Sequence, residues 1–187
     1  DYNVITVLEV DEHDNKTVVF VDRSKNVEFR ENIEKVRLIG KMFHPEVVLF
    51  ETNTFAKSFT QELRNVSDLN VHDFNTTRKR KEEIILSLQM NFENEKIRLP
   101  YGNEESRRVT MTLIEELSMF AITDKGKFEG IGAHDDMVMS LALANAATHT
   151  MSETFKLLDE LGLFEPVKTN KYAKTNGFLG MKFFFFF

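Results

Sequence analysis

Four apolar residues in a row, Val47-Val48-Leu49-Phe50, run straight into a carboxylate, Glu51, and a polar stretch, Thr52-Asn53-Thr54. A strand with one wetted face alternates apolar and polar residues. This one does not, so both of its faces must be covered. Covering both faces calls for a sheet with helices on either side. The flanking segments supply those parts. Val4 to Val10 is β-branched and reads as a strand, Asp11 to Asn15 as a polar turn, and Thr17 to Val21 as the return strand of an antiparallel hairpin. Ile33, Val36, Ile39 and Phe43 fall at spacings of 3, 3 and 4 and predict a helix that His44-Pro45 stops. Phe55, Phe59, Leu63 and Val66, spaced 4, 4 and 3, predict another before a strand at Leu69 to Phe74.

The rest of the chain is more helical. Helices are predicted over Lys79 to Asn94 and Glu104 to Phe120, with a short strand at Ile97 to Leu99 between them. Lys125 to Gly132 reads as a turn or hairpin. His134 to Ala147 opens with acids and becomes almost wholly apolar, the mark of a core helix. The expected architecture is an α/β fold with a mixed sheet flanked by helices. Residues 1–162 form the domain and residues 163–187 a tail or arm, where composition turns polar and Lys-rich. The closing run Phe183 to Phe187 is too short to cross a bilayer. It is a docked strand, a lattice contact or an extraneous run, and no function is assigned to it.

Composition excludes several chemistries. The chain has no Cys, so disulfides, Cys-zinc sites and thiol catalysis are out. A net charge of −6 rules out a uniformly basic nucleic-acid coat, though not a local basic face. No apolar run reaches the roughly 20 residues of a membrane span. There is no Gly-x-x-x-x-Gly-Lys-Ser/Thr loop, no His-Glu-x-x-His helix and no Gly-x-Ser-x-Gly elbow.

Acids remain. Glu51 ends a buried strand, where α/β sheets open onto ligands, or it merely terminates that strand. Asp135 and Asp136 start the apolar helix. One acid suffices as a helix cap, and a second beside it adds repulsion that a cation or proton would relieve. Asp1 precedes the first strand and is either a bare terminal residue or a third member of an acidic cluster. Converging carboxylates suit hard divalent ions, Mg²⁺ or Mn²⁺. Two such ions about 4 Å apart are the usual machinery of phosphodiester cleavage. Arg78, Lys79, Arg80 and Lys81 form a basic run that is either a solvated helix start or a phosphate contact. His134 abuts the acids and either orients a carboxylate or water, or helps cap the helix.

Phe50 to Thr54, the basic stretch from Arg78, and above all Gly132-Ala133-His134-Asp135-Asp136-Met137-Val138-Met139-Ser140-Leu141-Ala142-Leu143-Ala144 resemble the nuclease domain of a tailed-bacteriophage terminase large subunit. The match in order and spacing runs from Asp1 to about Ala147, some four-fifths of the chain.

That resemblance implies a ribonuclease-H-like fold and a metal-dependent endonuclease that cuts concatemeric double-stranded viral DNA with two divalent cations, Mg²⁺ or Mn²⁺. It implies Glu51 and Asp136 as catalytic metal ligands, with Asp135 as a further acid that could equally be the principal one, Asp1 as a substitute ligand, Asn53 and His134 in support, and Arg78, Lys79, Arg80 and Lys81 on DNA. The implied partners are viral DNA, the terminase ATPase domain, the portal protein and the small terminase subunit, in the host cell cytoplasm and with no membrane. In this family an acid on the first, central strand is the primary ligand, and it lies upstream of the position matched to Asp1. The expectation is therefore a sheet lacking its central strand, with about 10 Å open between the Val4–Val10 and Val47–Phe50 strands, or one in which another segment, such as the tail or Phe run, fills the slot. Weak or absent activity of the chain alone goes with an unfilled slot. Two other readings stand beside the terminase: a resolvase- or transposase-type nuclease, and a non-catalytic DNA- or portal-docking module of the same fold.

Overall fold

The computed structural model describes residues 2–51, 56–122, 128–130, 134–160 and 179–186, with side chains described within 2–51, 57–120 and 134–148. Asp1 and Asn53 lie outside the described residues. The chain opens with a hairpin, β1 (Asn3–Val10) and β2 (Lys16–Ser24), paired antiparallel with an irregularity between Val7 and Leu8. Helix α1 (Phe29–Phe43) follows. It ends on His44 in the left-handed region at φ 45°, with its N–H returned to Gly40 O. That conformation reverses the chain just before Pro45. Next come β3 (Val47–Glu51), α2 (Ala56–Val66), β4 (Val71–Phe74), α3 (Arg78–Glu93), β5 (Ile97–Arg98) and α4 (Glu104–Ser118). Asn103 and Ser106 form a reciprocal capping box at the start of α4.

The sheet order is β4-β3-β8-β1-β2-β5, where β8 is Leu179–Phe186. This is the mixed, helix-flanked sheet that the sequence predicts. The slot between β1 and β3 is filled, and the Phe run fills it. β8 is antiparallel to β1, with Val7 opposite Phe183, and parallel to β3, with Leu49 opposite Phe184. A central slot would otherwise expose two rows of unpaired backbone groups, and an apolar strand satisfies both rows at once.

The unalternating β3 is buried as expected, and its side chains divide between two cores. Val47 and Leu49 join Val4, Leu8, Ile84, Ile85, Leu88 and the first turns of α5 (Asp136–Glu160) on one face. Val48 and Phe50 join Ile5, Val7, Ile33, Val36, Phe59 and Leu63 on the other, under α1 and α2. The Phe50 and Phe59 rings lie 4.9 Å apart, both fully buried. Each such side chain contributes about 1.5–3 kcal/mol by leaving water.

Several boundaries differ from the sequence reading: β2 runs on to Ser24, and β4 begins at Val71 rather than Leu69. Phe120 does not end α4. It begins β6 (Phe120–Ile122), which pairs with β7 (Phe128–Gly130) in a separate antiparallel ribbon, so the predicted hairpin starts earlier. α5 runs on to Glu160, past Ala147. There Met151, Phe155 and Leu158 carry the helical spacing through a more polar sequence. No described helix is long and apolar enough to cross a membrane.

Candidate functional site

Strand directions bring one set of ends together. β3, β4 and β8 are mutually parallel neighbours, and β1 runs against β8, so the carboxyl ends of the first three meet the amino end of β1. Glu51, the last residue of β3, pairs with Phe74 at the end of β4, so Asn75 to Thr77 continue beside it. Odd-numbered residues of β3 face α5, and Glu51 continues that face beyond the core.

The Glu51 carboxyl is pushed above its usual range, chiefly by burial. The Thr76 hydroxyl and the Lys81 charge oppose that shift, while the Asp135 charge reinforces it. Its Oε2 is buried and accepts no hydrogen bond of regular geometry. Glu51, Lys81 and Asp135 are thus one electrostatic group, drawn from the ends of β3, α3 and α5.

The basic run does not act as one patch. Thr77 caps α3, its side chain accepting from Arg80 N. Counted from that cap, Arg78 pairs with Glu82 at 3.0 Å and Lys79 with Glu83 at 3.8 Å, both on the exposed face. The Arg80 guanidinium lies 5.5 Å from the Phe74 ring and donates to Asn75 O. Lys81 turns inward and donates to Asp135 Oδ2 at 3.1 Å.

Asp135 and Asp136 open α5 differently from ordinary caps. The Asp135 carbonyl accepts the first helical bond, from Met139 N, so Asp135 holds the cap position. Its side chain leaves for Lys81. Asp136 is 4 % exposed, and its Oδ2 accepts from Tyr2 N at 3.1 Å, which ties the helix start to β1. His134 Nδ1 lies 3.5 Å from the same oxygen, buried and without a hydrogen bond, while its ring stands edge-on to Tyr2 at 4.9 Å.

The sequence reading missed Glu116 and Arg23. Glu116, on α4, accepts through both oxygens. Oε2 receives Met137 N at 2.8 Å, and Oε1 receives Arg23 Nη2 at 3.2 Å. Arg23 in turn stacks on the Tyr2 ring, 3.6 Å from its centroid. Burial raises the Glu116 carboxyl above its usual range, against the Met137 amide and the Arg23 charge. The available signal was an acid three residues after Leu113, on the buried face of α4.

The donor set here is carboxylate oxygen, the kind hard divalent cations take. One buried oxygen of Glu51 is unpartnered, and an ammonium already stands against Asp135. Glu51 and Asp135 therefore fit a small cation. Asp136 is engaged by backbone, and among the described residues no three His, Asp or Glu converge as a metal site. β8 carries no acid.

No protein-family model matches the chain, and no curated protein matches it by sequence. Solved structures do. The large terminase nuclease from thermophilic phage G20c with bound magnesium superposes with a TM-score of 0.64 at 23% identity, covering 78% of this chain and 74% of that one. The same nuclease with bound cobalt gives the same values. With bound zinc the TM-score is 0.60 at 22% identity, over 78% and 74% of the two chains. The chain thus has the fold of a phage large-terminase nuclease, an RNase H-like mixed sheet with helices on both faces.

Proposed function

We propose that this chain is a metal-dependent endonuclease domain of a viral DNA-packaging terminase, acting on double-stranded DNA by phosphodiester hydrolysis. The observation that carries this reading is the buried, unpartnered carboxylate oxygen of Glu51 at the open end of the sheet, with the Asp135 charge acting on that carboxyl, in a fold whose solved neighbours are terminase nucleases. Glu51, Asp135 and Asp136 would hold Mg²⁺ or Mn²⁺, with Asp1 as a further ligand and Asn53 in support. When bound, such ions polarise a phosphoryl oxygen and acidify water. The protein's own groups do the rest. Tyr2 N–H holds Asp136, His134 stands 3.5 Å from the same oxygen, and Lys81 holds Asp135. Arg78 and Lys79, exposed on α3, are the residues best presented to a phosphate backbone. Cutting is expected to be weak, since the central strand brings no carboxylate to the cluster.

A second reading, a docking module that keeps the fold without the chemistry, has specific support. Lys81 partly neutralises the acids, and no three-acid cluster stands among the described residues. Calorimetry with Mn²⁺ and a supercoiled-plasmid nicking assay separate the two. Mn²⁺ binding and nicking that both fall in E51A and D135A support the nuclease. Undiminished nicking in those variants overturns the site, and no Mn²⁺ heat with no nicking favours docking. A preference for branched junctions over linear duplex would move the assignment to a resolvase-type enzyme.

A further inference from the structure

We infer that Glu116 is a positioning residue that caps α5 from a neighbouring helix and so leaves the Asp135 carboxylate for a cation rather than for the helix amides. This rests on the reading of Glu51 and Asp135 as a cation-binding pair. The first turn of any α-helix presents N–H groups with no intrahelical partner, and an acid at the cap position normally folds back to accept one. Asp135 occupies that position, since its carbonyl receives Met139 N. Yet its carboxylate reaches Lys81, and the carboxylate on the next residue, Asp136, receives Tyr2 N from another element. The N–H of Met137 goes instead to Glu116 Oε2 at 2.8 Å, from a residue 21 positions away, and the Val138 N–H also acts on that carboxylate.

Glu116 is well built for the task. It is 6 % exposed, and its other oxygen is held by Arg23, whose guanidinium is stacked on Tyr2. Tyr2 in turn donates its backbone N–H to Asp136. The residues close a ring: Arg23 to Glu116, Glu116 to the amide of Met137, Met137 to its neighbour Asp136, Asp136 to Tyr2, and Tyr2 back to Arg23. The ring fixes the start of α5 against β1 and β2 without using either aspartate as a cap. Were Glu116 removed, the orphaned amides would call on the side chain at the cap position, Asp135, and draw it away from Lys81.

The test is Mn²⁺ affinity by calorimetry on folded wild type, E116A and E116Q. Helicity and a cooperative melt confirm folding. Partners that orient a metal ligand typically change affinity about 10–100-fold when lost. E116A is expected to weaken Mn²⁺ binding at least about tenfold, and E116Q, which keeps an acceptor oxygen, to recover most of it. Equal affinity in wild type and E116A overturns the inference. If E116A does not fold, R23M takes its place. It leaves the carboxylate but removes the group that orients it, and an unchanged affinity there overturns the inference equally. If wild type binds no Mn²⁺, the cation reading fails, and hydrogen exchange at Met137 and Val138 decides the capping role alone. Faster exchange of both amides in E116A or R23M sustains it, and unchanged exchange sinks it.

Discussion

Ser140 tests whether α5 is pinned to β1 by a directed polar chain or by apolar packing alone. Ser140 is fully buried, Thr6 is 2 % exposed, and their hydroxyl oxygens are 2.8 Å apart. Ser140 Oγ also lies 3.3 Å from Val4 O, which can only accept. Ser140 therefore donates to Val4, and Thr6 donates to Ser140. The order of the chain makes the two truncations unequal. S140A leaves the Thr6 hydroxyl buried with its donor orphaned, at a cost of about 1–3 kcal/mol. T6V removes a donor whose acceptor keeps its own bond to Val4, and should cost less than about 1 kcal/mol. In T6V/S140A no orphan remains, so the double variant should be more stable than the sum of the singles predicts, by about 1–2 kcal/mol. For a domain of this size S140A should lower Tm by about 2–4 °C per kcal/mol lost. Urea denaturation of the four proteins, with m-values checked for equality, measures the cycle. Additive losses, or T6V costing as much as S140A, would refute the directed chain.

Three further outcomes follow from the same geometry. Because Glu51 binds its proton more tightly folded than unfolded, its stabilising contribution is present below its ordinary value of 4.5 and is lost as pH rises through the raised folded value. Metal-free E51Q should therefore gain on wild type across that rise and show a flatter stability–pH curve, and parallel curves in chemical denaturation from pH 4 to 8 would contradict the burial argument. K81M breaks a partly buried charged hydrogen bond and should cost the metal-free protein about 1–2 kcal/mol, while Mn²⁺ should raise its Tm more than that of wild type; an equal or smaller Mn²⁺ shift would show that Lys81 does not compete with a cation. F184P places a residue without an N–H between Thr6 and Leu49, in the middle strand of the sheet, and should abolish cooperative unfolding by circular dichroism; a retained sharp transition would mean that β8 is not needed to complete the sheet.

Elements whose burial follows from local spacing were readable in the sequence. β3 announced two covered faces by failing to alternate, and α1 and α2 announced theirs by regular spacing, since each pattern is set within a dozen residues. The direction of the Lys81 side chain was not readable. Lys81 belongs to a run of four cations that composition treats alike, and what separates it is the phase of α3, fixed by Thr77 as the cap and by Lys81 N bonding to Thr77 O. A shift of one residue in that cap would turn Lys81 outward and a neighbour inward. The two aspartates raise the same difficulty from the other side. Read alone, an acid at a helix start is a cap, and the sequence hints at a ligand only through the second adjacent acid and the family resemblance. The preference appears only when the amides of α5 are followed to their acceptor, and that acceptor is Glu116, on another helix. The Asp135 carboxylate is therefore spared from capping for a non-local reason. The property that makes Glu51 and Asp135 a candidate site belongs to α4 and β2 as much as to the acids themselves, and replacing Arg23 or Glu116 should disturb the site while every carboxylate named in it remains present.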